Sequence, residues 1–190
     1  ILTKQILTDV LAQISGIKLV DRVLPKYLYP SGGSTYCVRC FMNFKEQIDD
    51  IKIGAYYYNP IEHSLCEIKL IADRLNNVSM DAKALEINLV INWPSIKPLY
   101  GELSTKLAYI ETGHMLYLLC KVLAESNISY YVDIKAQAID DDNTLVAKIV
   151  LSKANKVLSM NSIVSQYYIK DVEQNKYIEV NGKTEIKLAD

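Results

Sequence analysis

The sequence predicts an α+β fold in which an antiparallel-rich sheet packs around one long buried helix. Residues 85–93 alternate apolar and polar side chains, which is the period of a half-buried strand. Residues 101–126 have helical spacing, and their second half is apolar over so broad a face that we expect it to be buried. Asn181-Gly182, between strand-like runs at 177–180 and 184–188, is a favoured pair for a type I′ hairpin.

The remaining elements follow in chain order. Residues 3–15 carry apolar side chains at helical spacing, and Gly16 is a natural stop after the last of them. Residues 29–34 are predicted to form a loop, because Pro30 favours an extended residue before it and paired glycines permit backbone angles closed to other residues. Four further strands are predicted from local patterns, at residues 41–44, 55–58, 65–68 and 132–138.

Composition limits the protein class. The 190 residues fit one domain, and a hydrophobic share of 50% is enough for a sizeable core. A formal net charge of −1 offers neither a basic footprint for nucleic acid nor a polybasic membrane patch. No apolar run reaches the length of a membrane-spanning helix. The 4 cysteines do not suggest a disulfide framework, so we expect a cytoplasmic location. The start, without Met or a signal-peptide layout, is typical of a fragment.

Two cysteines, Cys37 and Cys40, have the Cys-x-x-Cys spacing of thioredoxin-like redox motifs. They precede a strand rather than a helix, whose N-terminus is what lowers a thiol pKa in such motifs. No second pair of Cys or His in the sequence completes a zinc site. We therefore predict two half-buried cysteines without a redox or metal role.

The 2 histidines lie in different surroundings. His63 falls in a polar turn, where we expect it to be solvated. His114 follows Glu111 by three residues in the long helix, so the two side chains can share a face and form an acid–base pair. A histidine with a structural partner, or one at a dimer contact, is the favoured interpretation.

Glu111 lies among apolar neighbours, and a buried carboxylate needs a partner or shifts its pKa. Two interpretations stay open: a structural carboxylate that binds backbone amides of a neighbouring loop, and a functional carboxylate. The acidic run at 140–143 lacks the glycine and closing glutamate of a calcium loop and is predicted to be a solvated turn or a helix cap. Pro30-Ser31-Gly32-Gly33 could bring backbone N–H groups to a phosphate or a planar cofactor edge, although ordinary turns use the same residues.

Four segments in order resemble the SagB-type dehydrogenases of the nitroreductase superfamily. The resemblance is strongest to the oxidase domains of nonribosomal peptide synthetases, and it runs from about residue 5 to 165. The segments are YPSGGSTY at 29–36, GAYYYNPIEHSL at 54–65, KPLYGEL at 97–103 and IETGHM at 110–115. We therefore expect a nitroreductase-like oxidase domain at 1–165, without the N-terminal part of the family pattern, and a C-terminal extension at 166–190 with a β-hairpin.

The resemblance implies an FMN enzyme that oxidises thiazoline or oxazoline rings to thiazole or oxazole in natural-product biosynthesis. It also implies a homodimer, an azoline-containing peptide as substrate, tethered or not to a carrier protein, and other synthetase domains or a heterocyclase as partners. Cofactor binding would fall to six residues: Pro30, Ser31, Gly32, Gly33, Tyr36 and Glu111. Tyr100 matches a family tyrosine and would accept a proton or orient the substrate, with Lys97 close to the position of a family lysine.

Two alternatives stay open. The first is a catalytically decayed, flavin-free domain of the same fold that serves as a dimerisation or docking scaffold in a synthetase. It is motivated by the absence of glycine between Gly113 and Gly182, where the family uses glycines around the flavin, and by the absence of the family's phosphate-binding arginine upstream of the first helix. The second alternative is reduction of another small molecule, such as a nitro compound or quinone.

Overall fold

The computed structural model describes residues 1–20, 25–68 and 83–152, and the backbone of strands 167–171 and 176–180. The chain divides into two compact units, Ile1–Lys156 and Val157–Asp190. In the second unit, two strands at Tyr167–Asp171 and Lys176–Val180 pair antiparallel. The predicted turn at Asn181-Gly182 and the strand at 184–188 lie outside the described residues.

The first unit begins with helix α1 (Lys4–Ala12), and Thr3 caps it by accepting the N–H of Ile6 at 3.3 Å. Gly16 does not end this helix. It begins β1 (Gly16–Ile17), which pairs with β2 (Lys26–Tyr27), and its N–H donates to the Pro60 carbonyl at 2.7 Å. The helix predicted over 3–15 is confirmed, with an earlier end.

Within the described residues, seven strands form one sheet in which every neighbouring pair is antiparallel. The spatial order is β5-β4-β3-β6-β9-β7, with β8 also on β9. The strands are β3 (Val38–Phe44), β4 (Gly54–Asn59), β5 (Ser64–Glu67), β6 (Lys83–Asn92), β7 (Tyr130–Asp133), β8 (Gln137–Ala138) and β9 (Asn143–Ser152). The short α2 (Lys97–Tyr100) and the 22-residue α3 (Ser104–Glu125) follow β6. The long helix and the strands β3, β4, β5 and β6 form where the patterns predict them, whereas β1, β2 and β9 were not predicted.

Helices α1 and α3 pack on one face of this sheet and against each other. Helix α3 buries Met115, Leu119 and Leu123, whereas Ile110 and Tyr117 are 55% and 56% exposed on its other side. The predicted burial of the helix therefore holds for one face only. The core between helices and sheet includes Leu7, Val10, Leu11, Met42, Phe44, Leu85, Ile87, Leu89, Ile91 and Ile149.

Strand β6 differs from the expected half-buried strand, because its polar side is buried too. Glu86 is 1% exposed and Asn88 is 0% exposed. Lys148 on β9 reaches Glu86 with 3.6 Å between Nζ and Oε2, so the buried carboxylate has a charged neighbour. Alternation in the sequence shows which side of a strand is polar. It does not show whether another part of the protein covers that side, in which case the polar groups are buried and need partners.

The strand predicted over residues 132–138 is interrupted. β7 ends at Asp133 opposite Lys148, and β8 resumes at Gln137 opposite Leu145. The chain advances four residues from Asp133 to Gln137, while the paired part of β9 advances only three, from Lys148 to Leu145. The extra residue forms a bulge, and Ile134 in this stretch is 66% exposed. In the described part of the chain, no helix is both long and apolar enough to cross a membrane.

Candidate functional site

The loop at residues 29–36 closes on itself beside α3. Ser31 is extended, and a short helical turn follows over Gly32–Ser34. The Ser31 hydroxyl accepts the N–H of Tyr36 at 2.8 Å, and the Ser31 carbonyl accepts the N–H of Ser34 at 3.2 Å. Gly33 has φ +58°, a left-handed angle that favours glycine. The loop thus has a defined shape set by contacts within it.

Both glycines of this loop have close neighbours on the side where a side chain would be. A Cβ on Gly32 would lie 2.9 Å from Leu107 Cδ1 on α3, and a Cβ on Gly33 would lie 2.5 Å from the Tyr100 hydroxyl. The loop residue Gly33 and the candidate catalytic Tyr100 are therefore in direct contact, although 67 positions separate them in the sequence. No sequence pattern predicted this contact.

Lys97 and Tyr100 lie one helical turn apart on α2 and contact different partners. The Lys97 ammonium lies 5.1 Å from the centroid of the Trp93 ring, in a cation–π arrangement. Trp93 in turn donates from Nε1 to the Thr144 hydroxyl at 2.9 Å. Lys97 is exposed, whereas Tyr100 is partly buried against the loop.

Glu111 on α3 reaches the start of β3. Its Oε1 accepts the N–H of Val38 at 2.9 Å, and the residue is 1% exposed. Oε2 makes no hydrogen bond within the described residues. Burial raises the pKa of Glu111, and the Ser31 hydroxyl together with Val38 and Cys37 opposes that rise. The contact with a backbone amide, which the structural interpretation of Glu111 requires, is present.

His114 does not pair with Glu111, contrary to the acid–base possibility. Its Nδ1 lies 3.0 Å from the Ile110 carbonyl, and the ring is exposed while Glu111 is buried. Residues three apart can share a helix face, but here Glu111 turns inward to Val38 whereas His114 turns out to solvent. His114 instead lines a cleft of about 300 Å³ with Tyr29, Pro30, Gly113 and Tyr117.

Three tyrosine rings form a cluster beside the loop, which was not predicted from the sequence. Tyr27 and Tyr36 lie 4.0 Å apart between centroids, and Tyr29 meets Tyr36 edge-on at 5.8 Å. Burial raises the pKa of Tyr27 and Tyr29, so both rings stay neutral. The spacing of Tyr27 and Tyr29 could have predicted part of this cluster, because residues two apart in an extended chain face the same side.

A small cavity of about 80 Å³ opens beside this tyrosine cluster. Its wall includes Arg39, Tyr57 and Tyr58, at the point where β4 separates from β3. The Arg39 guanidinium donates to the Asn92 side-chain oxygen at 3.0 Å. Tyr36, expected at the cofactor, therefore lies in a group of rings that also lines an internal space.

Cys37 and Cys40 are more deeply buried than expected, at 0% and 3% exposure, and both are free thiols. Burial raises the pKa of each thiol to about 12. Three steps along an extended chain span roughly 10 Å, whereas a disulfide requires Cα atoms within about 7 Å. Their spacing is therefore structural and not that of a redox pair.

His63 is exposed, as predicted, and it also has a specific partner. Its Nδ1 lies 2.7 Å from the Tyr58 hydroxyl, which donates to the Leu11 carbonyl at 3.0 Å. This bridge ties the turn after β4 to α1.

The acidic run at 140–143 is a turn in which the Asp140 side chain accepts from the Asp142 N–H at 3.0 Å, as expected.

No family model matches the chain. Its sequence is 28% identical over 164 residues to an indigoidine synthase from Streptomyces lavendulae, a match that covers 85% of this chain and 12% of that protein. The chain therefore spans about an eighth of the length of this curated relative.

Solved structures show the fold. A microcin synthetase McbBCD complex from E. coli, with truncated pro-MccB17 bound, matches with a TM-score of 0.64 at 16% identity, over 82% of this chain and 65% of that one. A nitroreductase from Ralstonia eutropha JMP134 matches with a TM-score of 0.61 at 18% identity, over 80% of this chain and 74% of that one. The chain has a nitroreductase-like fold, so the predicted resemblance to the nitroreductase superfamily is confirmed at the level of the fold.

Proposed function

We propose that this chain binds FMN and oxidises thiazoline or oxazoline rings of a peptide to thiazole or oxazole. The observation that carries the proposal is the convergence of three separate sequence segments on one place. The loop at 29–36 contacts Tyr100 through Gly33 and α3 through Gly32, and its first two residues line a cleft with Gly113 and His114. A mostly apolar cleft with a few polar groups at its wall is typical of a small-molecule site.

The residues around this cleft are compatible with a flavin. The cleft volume of about 300 Å³ is at the lower end of ligand pockets, its wall is mostly apolar and aromatic, and a Cβ added at Gly113 would meet no described atom within 4 Å. Pro30 lines the cleft, and Ser31, Gly32, Gly33 and Tyr36, which follow it in the loop, would hold the ring system with it. FMN supplies the two-electron acceptor that a ring dehydrogenation requires.

The chain's own residues would handle the proton. Oxidation of an azoline to an azole removes one hydride and one proton from the ring. The Tyr100 hydroxyl lies at the loop surface, where it can accept or orient that proton. Only the phenolate form of Tyr100 can accept that proton, and the Lys97 ammonium, one turn away on α2, would stabilise this phenolate before the transfer. Molecular oxygen would be the final electron acceptor.

A second copy of the chain would complete the site. The outer face of α3 exposes Tyr109, Ile110 and Tyr117 at 42%, 55% and 56%, and Gly113 lies in the same helix with open space where a side chain would be. A glycine inside a helix costs about 1 kcal/mol relative to alanine, and close approach of another molecule is one reason to keep it. A homodimer through α3 would cover this face.

The likenesses to an indigoidine synthase and to a synthetase complex with a bound pro-peptide support a peptide-derived substrate. We infer that the substrate is an azoline-containing peptide, presented on a carrier protein or by a heterocyclase, with other synthetase domains as neighbours. A cytoplasmic location would supply such partners.

A flavin-free scaffold is the second candidate, and one observation favours it. Gly32 and Gly33 are already explained by Leu107 and Tyr100, so the glycine pair does not by itself require a cofactor. In that case the role of the fold and of the exposed α3 face would be to bind a second copy of the chain or a neighbouring domain.

Flavin titration separates the two candidates. The purified protein, in its natural full-length context, is mixed with FMN, and bound flavin is measured by absorbance after gel filtration. Retained FMN supports the enzyme, and failure to retain any contradicts it. Tyr100→Phe should keep FMN and lower turnover of a thiazoline peptide by roughly 10²–10⁴-fold. Tyr56→Phe, whose hydroxyl donates to the Lys52 carbonyl at 3.1 Å and which does not line the cleft, is the matched control and should change neither quantity.

A further inference from the structure

The N-terminal end of β3 has an open edge. β3 pairs with β6 from Val38 onward, but its pairing with β4 begins only at Phe41. The N–H of Val38 therefore has no strand partner on the β4 side, and Val38 is 4% exposed. A buried N–H without a partner is costly, and here the Glu111 carboxylate accepts it at 2.9 Å. A side chain from α3 thus replaces the absent strand neighbour.

The same helix holds the loop before β3 at a second point. Leu107 lies one turn before Glu111 on α3, and it fills the space against Gly32. Residues four apart share one face of a helix, so Leu107 and Glu111 fix the two ends of the segment 32–38 against α3. The part of the loop between them contacts Tyr100 through Gly33.

We propose that Glu111 is a positioning residue that holds the loop at 29–36 against α3 and does not itself touch the flavin. This inference rests on the proposed function, and it replaces the direct cofactor contact that sequence resemblance assigns to Glu111. Its burial at 1% exposure and its bond to Val38 both direct the carboxylate inward. The loop, and not the carboxylate, would meet the ligand.

The length of the Glu111 side chain, rather than its charge, would then determine whether it holds the loop. Glutamine has the same length and keeps an acceptor oxygen for the Val38 N–H. Aspartate keeps the charge but is one methylene shorter, so its carboxylate falls short of Val38. Glu111→Gln therefore removes the charge and keeps the length, whereas Glu111→Asp keeps the charge and shortens the side chain. Glu125→Gln and Glu125→Asp, at an exposed position of α3, are the matched controls.

The first measurement is amide hydrogen exchange in the protein without flavin, read at Val38 and in the loop. Glu111→Asp should speed exchange at Val38 by roughly tenfold or more, because a buried hydrogen bond is lost. Glu111→Gln should stay within about threefold of the wild type, and the Glu125 variants should not differ from it. This measurement does not depend on cofactor binding.

The second measurement is FMN affinity. Glu111→Asp should weaken FMN binding about tenfold, and Glu111→Gln should leave it unchanged. Faster exchange or weaker FMN binding in Glu111→Gln would overturn the proposal, because charge would then matter more than reach. Unchanged exchange in Glu111→Asp would overturn it as well.

If Glu111→Asp does not fold, Glu111→Gln alone decides on the same criteria. If the wild type binds no FMN, the proposed function fails while the exchange data still decide whether Glu111 holds the loop.

Discussion

The hydroxyl of Tyr100 lies directly over Gly33, where a Cβ would be 2.5 Å from it. Gly33 also has φ +58°, so an alanine there would meet both a steric clash and an unfavourable backbone angle. We expect Gly33→Ala to lower the free energy of unfolding by about 2–4 kcal/mol. Urea denaturation followed by circular dichroism measures this.

A double-mutant cycle tests the cause of that loss. In a Tyr100→Phe background the closest atom is gone and the next lie at 3.3 Å, so Gly33→Ala should cost only about 1–2 kcal/mol for the backbone angle. Equal costs in the two backgrounds would show that Tyr100 does not press on Gly33. Gly113→Ala is a comparison with the opposite expected sign: in the monomeric chain, at protein concentrations too low for dimerisation, it should stabilise by about 0.5–1 kcal/mol, because a Cβ there meets open space.

Glu111 should make stability depend on pH. Burial raises its folded pKa above the ordinary value of 4.5, so the folded protein binds the proton more tightly than the unfolded chain does. The stability linked to this proton is fully present below about pH 4.5 and is lost as pH rises through the raised pKa.

Glu111→Gln cannot titrate and should remove this dependence. The free energy of unfolding of the variant, relative to the wild type, should therefore increase as pH rises above 4.5. Denaturant titrations across the acidic to neutral range measure the difference. A difference that stays flat, or that falls with pH, would contradict a raised pKa.

Glu86 and Lys148 form a buried ion pair, with side chains 1% and 8% exposed. Lys148→Met leaves the Glu86 charge without compensation and should cost about 3–5 kcal/mol. Adding Glu86→Leu should recover most of that loss, because a paired apolar replacement is often neutral. Lys18→Met, in the exposed pair with Glu62 at 3.8 Å, should change stability by less than about 1 kcal/mol.

The four cysteines should react very differently with a thiol reagent. Cys66 is exposed, whereas Cys37, Cys40 and Cys120 are buried and burial raises the pKa of each to about 12. A thiolate is the reactive form, so the native protein should label rapidly at Cys66 alone. Rapid labelling after Cys66→Ser would show that one of the buried thiols is accessible. Denaturant should expose all 4 thiols.

The elements were predictable where one local pattern decides the structure. The 3.6-residue period over 101–126 gives α3, because only a helix places those apolar side chains on one face. The alternation over 85–93 gives β6 in the same way. The period does not tell which sides become buried, and so the polar side of β6, with Glu86 and Asn88, was expected to face solvent. A break such as that between β7 and β8 also depends on the register of β9, which no local pattern contains.

The sequence by itself determined the α+β class, the loop chemistry of 29–36 and the presence of a carboxylate in the apolar part of the long helix, since propensity and polarity act over a few residues. Only the tertiary structure decided that Tyr100 meets Gly33, that Glu111 meets Val38 and that His114 turns away from Glu111. These contacts join residues far apart in the chain, or choose between faces of one helix. Their geometry follows from how the sheet and helices pack, where a shift of a single residue changes the partner.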